Sequence, residues 1–385
     1  MRVNKYIDTV TIASKALETG GRPRYRLIAE ALAQAILNRC IEGGAKLPPL
    51  RILADELSVT VGTVNRAYAE IERQGLVVSR VGDGTYVLSP GERANKSEFD
   101  NAPDDKPGVI DLSRNTHIPG EESALLGETL VRLGGDRRKL AQLGEYLPDT
   151  GLARHREAGA QWIGLSDREV AADQLVVTNG AQHALLCTMI ATLRKDDLLV
   201  SEHLTYPGLV VAARALGIRL GGLAIDAQGL LPEALEEACS QQRVHTLYCT
   251  PTIHNPTTGT MDLRRRQAIA DICLRYNVRI IEDDAHGVLV ERHPPSFARF
   301  APTHTITISS LSKAVSAGLR VGFIAAPRSL AGRIASAVRT SCWMATPLAV
   351  EIGASWILDG TAAKLCEDQR AEIRRQIGRA SCRER

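Results

Sequence analysis

Apolar positions between residues 25 and 88 recur first at helical spacing and then in two short runs. Ile28, Leu32, Ala35, Ile36 and Leu37 share one face of a helix predicted over residues 25–41. Leu47-Pro48-Pro49 stops the chain and opens a second helix, 50–57, because proline fits the first turn of a helix and not its interior. Ser58-Val59-Thr60 makes a short turn with an N-cap, and a third helix follows over 61–74. Val64, Ala67, Tyr68 and Ile71 lie on one face of it and Gly75 ends it. Residues 76–78 and 85–88 then flank Val81-Gly82-Asp83-Gly84, a hairpin signal.

Residues 89–108, SPGERANKSEFDNAPDDKPG, hold three prolines and five acidic residues and almost nothing large and apolar. Such a stretch cannot bury enough surface to offset its ordering entropy, so it reads as a linker. Beyond it, short apolar runs at 174–178, 198–200, 246–250, 279–282, 305–309 and 321–325 alternate with longer amphipathic stretches. That alternation predicts an α/β unit with a mostly parallel sheet. The expected division is 1–88, a linker at 89–109, a large domain at 110–360, and a further segment at 361–385.

Composition changes this picture little. A chain of 385 residues with 44% apolar and 24% charged residues is multidomain and globular. No run of eighteen apolar residues is present, which excludes a membrane-spanning helix, and the N-terminus has no apolar secretory stretch. Eight cysteines without a C-x-x-C pair point to neither a zinc site nor a disulfide framework, and so to a reduced, cytoplasmic protein. The net charge of +3 sits entirely in the first ninety residues, as a weak sign of a nucleic-acid partner.

Three helices and a hairpin make a winged helix-turn-helix arrangement, with the third helix in the major groove. The stretch KLPPLRILADELSVTVGTVNRAYAEIERQGLVVSRVGDGTYV resembles the DNA-binding domain of GntR-type bacterial regulators. The resemblance implies DNA contacts from Arg51 at the start of the second helix and from Thr63 and Arg66 on the third. It also implies that Gly82 and Gly84 let the wing approach the DNA backbone; simple turn geometry explains those glycines equally well. Many relatives carry Arg where this chain has Val61, so the operator sequence is not implied.

In the large domain four local sequences lie at the C-terminal ends of predicted strands, the edge where open α/β sheets bind ligands. VVTNGAQHALL is a strand, a turn and a helix starting near Ala181, whose free N–H groups favour an anion. LYCTPTIHNPTTG offers Asn255, which by itself is as well explained as a turn former before proline. VRIIEDDAHG delivers Glu282, Asp283 and Asp284 at a core strand's end, where carboxylates need a cation, a metal or a protonated ring nitrogen. No spaced set of His and carboxylates accompanies them for a metal. TITISSLSKAVSAGLRVGF brings Ser310 and Arg320, with phosphate-ligand chemistry, beside Lys313. Lys313 alone would be an ordinary solvated lysine. In this company it is a candidate Schiff-base lysine.

As a set, these motifs resemble the fold-type I aminotransferases, which use pyridoxal phosphate. The resemblance implies that Lys313 binds the cofactor as an imine and Asp283 keeps the pyridine nitrogen protonated. It implies that Asn255 reaches the phenolic oxygen, Tyr206 stacks on the ring, and Ala181, Gln182, Ser310 and Arg320 hold the phosphate. Tyr146 would reach the phosphate of the neighbouring subunit of a homodimer. His286 stands where the family has Tyr, and is expected to meet the phenolic oxygen. No residue matches the arginine that grips a substrate carboxylate in the family's small domain. The expectation is therefore that 361–385 begins an incomplete small domain whose last eight or nine residues are not native.

A GntR-type reader joined to an aminotransferase-like domain resembles the MocR subfamily of transcriptional regulators. The implied function is a pyridoxal phosphate-dependent regulator of double-stranded DNA operators that senses an amino acid, an amine or the cofactor itself. The alternative is an active aminotransferase with a fused DNA-binding module.

Overall fold

The computed structural model describes residues 7–18, 23–80, 83–89, 115, 117–165 and 169–383. Two compact units are present, Met1–Ile110 and Asp111–Arg385.

The first unit holds helices α1 (Ile7–Glu18), α2 (Arg24–Leu37), α3 (Leu50–Glu56) and α4 (Val61–Arg73), then strands β1 (Val77–Arg80) and β2 (Gly84–Val87). The strands pair antiparallel, Val77 opposite Val87. Thr60 caps α4 by accepting the Thr63 N–H at 3.2 Å. Ile28, Leu32, Ile36, Leu53, Val64 and Ile71 are buried in one core. Within it the Tyr68 hydroxyl donates to the Pro48 carbonyl at 2.9 Å, tying α4 to the proline turn that starts α3. Sequence pattern missed α1. Its run of Ile7, Thr9, Val10, Thr11 and Ile12 is β-branched and lowers helix propensity, whereas packing on α2, with Ala13 buried, favours the helix.

The second unit is built on seven strands: β3 (Leu175–Thr178), β4 (Leu198–Glu202), β5 (Arg219–Leu223), β8 (Thr246–Cys249), β9 (Arg279–Asp283), β10 (Thr305–Ser310) and β11 (Gly322–Ala325). A separate two-stranded hairpin pairs β6 (Ile225–Asp226) with β7 (Gly229–Leu230). The main sheet runs in the order β3-β11-β10-β9-β8-β4-β5. Only β11 is antiparallel to its neighbours. Each predicted strand is present within two residues of its expected ends. β5 was not foreseen, because RLGGL has two glycines and no apolar run; it is an edge strand that little needs to bury.

Both faces of the sheet are covered, so successive residues go to opposite apolar layers. Val176, Ile281, Ile306 and Ile324 pack under helices Gly180–Thr192 and Arg328–Cys342. Val177 and Phe323 pack with Trp162 and Trp356 on the other side, and Ile280 and Leu247 with Ile269 and Ile272. This rigid double-covered sheet fixes where each strand ends, and the strand ends hold the chemistry. The segment after Gly360 forms one helix, Thr361–Arg383.

Candidate functional site

Nine of the ten candidate cofactor residues line one cavity at the strand ends: Ala181, Gln182, Tyr206, Asn255, Asp283, His286, Ser310, Lys313 and Arg320. Those nearest their strands arrive by short routes. Asp283 ends β9, Ser310 ends β10 with Lys313 three residues on, and Ala181 and Gln182 open the helix that follows β3. Tyr206 is the N-cap residue of helix Pro207–Leu216. Tyr146, the tenth, is outside the cavity. It is 79% exposed, its ring tilted against Trp343 with 5.4 Å between centroids.

The three adjacent acids serve three different partners. Buried Glu282 pairs with buried Arg266 at 3.4 Å and accepts from Ser296, Thr307 and the Phe297 N–H. Asp284 meets His293 Nε2 at 2.8 Å, both buried. Asp283 alone faces the cavity. Its carboxylate accepts the Tyr248 hydroxyl at 2.8 Å and the Ala285 N–H at 3.1 Å. Burial raises the Asp283 pKa, while Tyr248 and the Ala285 N–H oppose that rise.

Lys313 is half-buried, and burial lowers its pKa; nearby Asp283 opposes the shift and Arg320 reinforces it. Its Nζ donates to the Asn115 carbonyl at 2.5 Å. The Asn115 side-chain amide lies 2.9 Å from His286 Nε2. Burial, then the Lys313 charge, pushes His286 down to about 4, so it is a neutral ring at pH 7.

At the other end of the cavity the chain makes room for an anion. Gly180, at φ +83°, lies so close to Arg320 that a Cβ there would come within 2.6 Å of Nη2. The guanidinium therefore sits beside the open N-terminus of helix Gly180–Thr192. Ser310 is buried next to it, and Ser312 Oγ and Gln182 Oε1 are buried with no hydrogen-bond partner among the described residues.

In the first unit, Arg51 and Arg66 are exposed on α3 and α4, the Arg66 side chain on the face opposite the buried Val64–Tyr68–Ile71 stripe. Thr63 is half-buried, its hydroxyl 2.9 Å from that of Thr60, so it helps to set the start of α4. Gly84, at φ +141°, leaves room for Lys46, whose Cε lies 2.7 Å from where a Cβ would stand. Turn geometry is sufficient reason for glycine there. Gly82 lies outside the described residues.

Comparison with known proteins matches residues 24–87 to the bacterial regulatory proteins of the gntR family and residues 112–377 to aminotransferase class I and II. The chain is 30% identical to the HTH-type transcriptional regulator YdeF of Bacillus subtilis (strain 168), over 98% of its own length and 80% of that protein. It is 26% identical to the vitamin B6 salvage pathway transcriptional repressor PtsJ of Salmonella typhimurium, over 80% of this chain and 68% of that one. The chain belongs to the MocR-type GntR regulators.

The large unit of this MocR-type regulator is also similar to a solved α-aminoadipate aminotransferase, LysN of Thermus thermophilus. The TM-score is 0.59 at 26% identity, over 67% of this chain and 66% of that one, and LysN is complexed with N-(5'-phosphopyridoxyl)-L-leucine. The cofactor of the unit is thus pyridoxal phosphate. The cavity fits it. The orphaned Ser312 and Gln182 oxygens, the Arg320 fork and the Cβ-free Gly180 suit a phosphate, and Asp283 and Lys313 suit a pyridine aldehyde. Among the described residues no helix is long and apolar enough to cross a membrane.

Sequence reasoning missed Tyr248, Asn115 and Ser312. Tyr248 lies inside an apolar strand run and reads as core. Ser312 is one of several small hydroxyl residues in SSLS, and only burial singles it out. Asn115 has no signal at all, since it is brought to Lys313 from 198 residues away.

Proposed function

We propose that this regulator binds pyridoxal phosphate on Lys313 and uses the loaded cavity to sense a small amine or amino acid, altering the affinity of its helix-turn-helix unit for operator DNA. The convergence of Lys313, Asp283 and Arg320 on one cavity supports this reading most strongly. Bound there, the cofactor supplies an aldehyde that exchanges amines and a ring that withdraws electrons.

The residue roles follow from position and charge. Lys313, its charge disfavoured by burial, is prepared to act as a neutral nucleophile. Asp283, held by Tyr248, keeps a proton on the ring nitrogen. Asn255 and neutral His286 would meet the ring's phenolic oxygen, and Tyr206 would cover a ring face. Ala181, Gln182, Ser310 and Arg320 take the phosphate. In the other unit Arg51, Thr63 and Arg66 face DNA, with Gly82 and Gly84 shaping the wing. The regulator works as a homodimer in the bacterial cytoplasm, where operator DNA is. The exposed Tyr146 would reach a second copy's phosphate. Residues 1–88 read DNA, 89–109 link, and 110–360 sense.

The test is duplex binding of the loaded protein to fragments of its own upstream region, with and without a panel of amino acids and amines. The reading expects one amine to change DNA affinity by about tenfold, a typical coupling between sites. Steady turnover of an amino acid with no effect on DNA affinity would instead favour the aminotransferase alternative.

A further inference from the structure

The Lys313 amine donates to the carbonyl of Asn115 at 2.5 Å. Asn115 is held at its other end too, its side-chain amide 2.9 Å from the ring nitrogen of His286. Burial keeps that ring neutral, so its Nε2 accepts from the amide. The residue is thereby held by two groups that line the cavity. In the chain it comes shortly after the 89–109 segment and close to the start of the second unit at Asp111.

Capture of Lys313 by an aldehyde must break this contact. The neutral amine nitrogen adds to the aldehyde carbon, a C=N bond replaces the C=O bond, and the oxygen leaves as water. The free amine carries at least two N–H donors, whereas the captured nitrogen keeps at most one. Resting on the cofactor reading above, we infer that Asn115 reports the state of Lys313: its backbone carbonyl docks the free lysine amine, and covalent capture of that amine releases it. A small amine that displaces Lys313 from the aldehyde returns the lysine to Asn115. Aldehyde-bound protein is then the state with Asn115 loose, and both cofactor-free and amine-exchanged protein are states with it docked.

The Arg114–Asn115 bond offers a direct readout, because trypsin cuts after arginine. Full-length protein freed of aldehyde and protein loaded with pyridoxal phosphate and fixed by borohydride are digested briefly, and the peptide beginning at Asn115 is followed by mass spectrometry. Lys313 capture is measured separately from the mass of its own peptide. Release of this hydrogen bond predicts cleavage about tenfold faster in the captured form. Unloaded Lys313→Ala and Lys313→Met proteins are expected to cut at the fast rate, and adding pyridoxal phosphate to them should change nothing. Two variants guard against one that folds poorly. Equal cleavage rates with and without proven capture would overturn the inference, and so would unloaded parent and Lys313→Met proteins that cut alike. If the mass of the Lys313 peptide shows no capture, it is the cofactor reading that fails, while the unloaded comparison still decides whether the lysine docks on Asn115.

Discussion

The Arg320 guanidinium lies over Gly180, 2.6 Å from where a Cβ at that position would stand. This one contact joins the end of β10's loop to the start of the helix after β3, and so assembles the anion end of the cavity from two distant motifs. Gly180→Ala is expected to push the guanidinium aside and to strain a backbone at φ +83°. Affinity for pyridoxal phosphate should fall by about tenfold or more, corresponding to about 1.4 kcal/mol. Equilibrium titration of cofactor fluorescence quenching measures it. An unchanged affinity would mean that Arg320 is not a phosphate ligand.

Tyr248 and Asp283 make a second, buried pair at 2.8 Å. Burial raises the Asp283 pKa and the Tyr248 hydroxyl opposes the rise. Tyr248→Phe removes that opposition, so Asp283 stays protonated to higher pH and holds the ring-nitrogen proton less well. The acidic limb of cofactor binding should move to higher pH, with far-ultraviolet circular dichroism unchanged. A binding profile that keeps its acidic limb would show that Tyr248 is only packing.

Glu202, wholly buried at the end of β4, accepts the Thr250 N–H, and its Oε2 has no partner among the described residues. Burial raises its pKa from the ordinary 4.5 to about 8. Between those values the folded chain keeps a proton that the unfolded chain has released, so this group's stabilisation is complete below pH 4.5, declines as pH rises towards about 8, and is lost above it. The slope is about 1.4 kcal/mol per pH unit at most. Glu202→Gln should remove this component. Urea unfolding at about pH 5, 6.5 and 8 ought to find the variant gaining on the parent as pH rises. A constant difference would mean that Glu202 is ionised in the fold.

On the DNA-reading unit, Arg66→Ala is expected to weaken duplex binding and to lower the slope of log affinity against log salt by about one, the signature of a lost phosphate contact. Thr60→Ala removes the α4 cap and should cost about 1 kcal/mol of stability in thermal melts. An Arg66→Ala protein with the parent's affinity and salt slope would take Arg66 off the interface.

Much of this site was legible in the sequence because strand ends are. Apolar runs bounded by Gly, Ser and Asp locate the edge of a buried sheet; Asp283, Ser310 and Lys313 follow such runs closely, and Arg320 directly precedes one. The helix-turn-helix was legible for a related reason, since Pro48, Pro49, Thr60 and Gly75 mark its boundaries. What remained hidden depends on distant packing. Tyr248 looks like a core residue until its hydroxyl is seen on Asp283. The sorting of Glu282 to Arg266 and Asp284 to His293 follows from strand alternation and a loop return that no local pattern encodes. α1 and β5 went unread because tertiary packing, not propensity, decides them.

The central claim is that Lys313 carries the cofactor. It is tested most directly by visible absorption titration of the full chain with pyridoxal phosphate, run beside Lys313→Ala. The account predicts a saturable protein-bound band in the parent that borohydride bleaches and that the variant lacks. The same band in Lys313→Ala, or none in a folded parent, would contradict it.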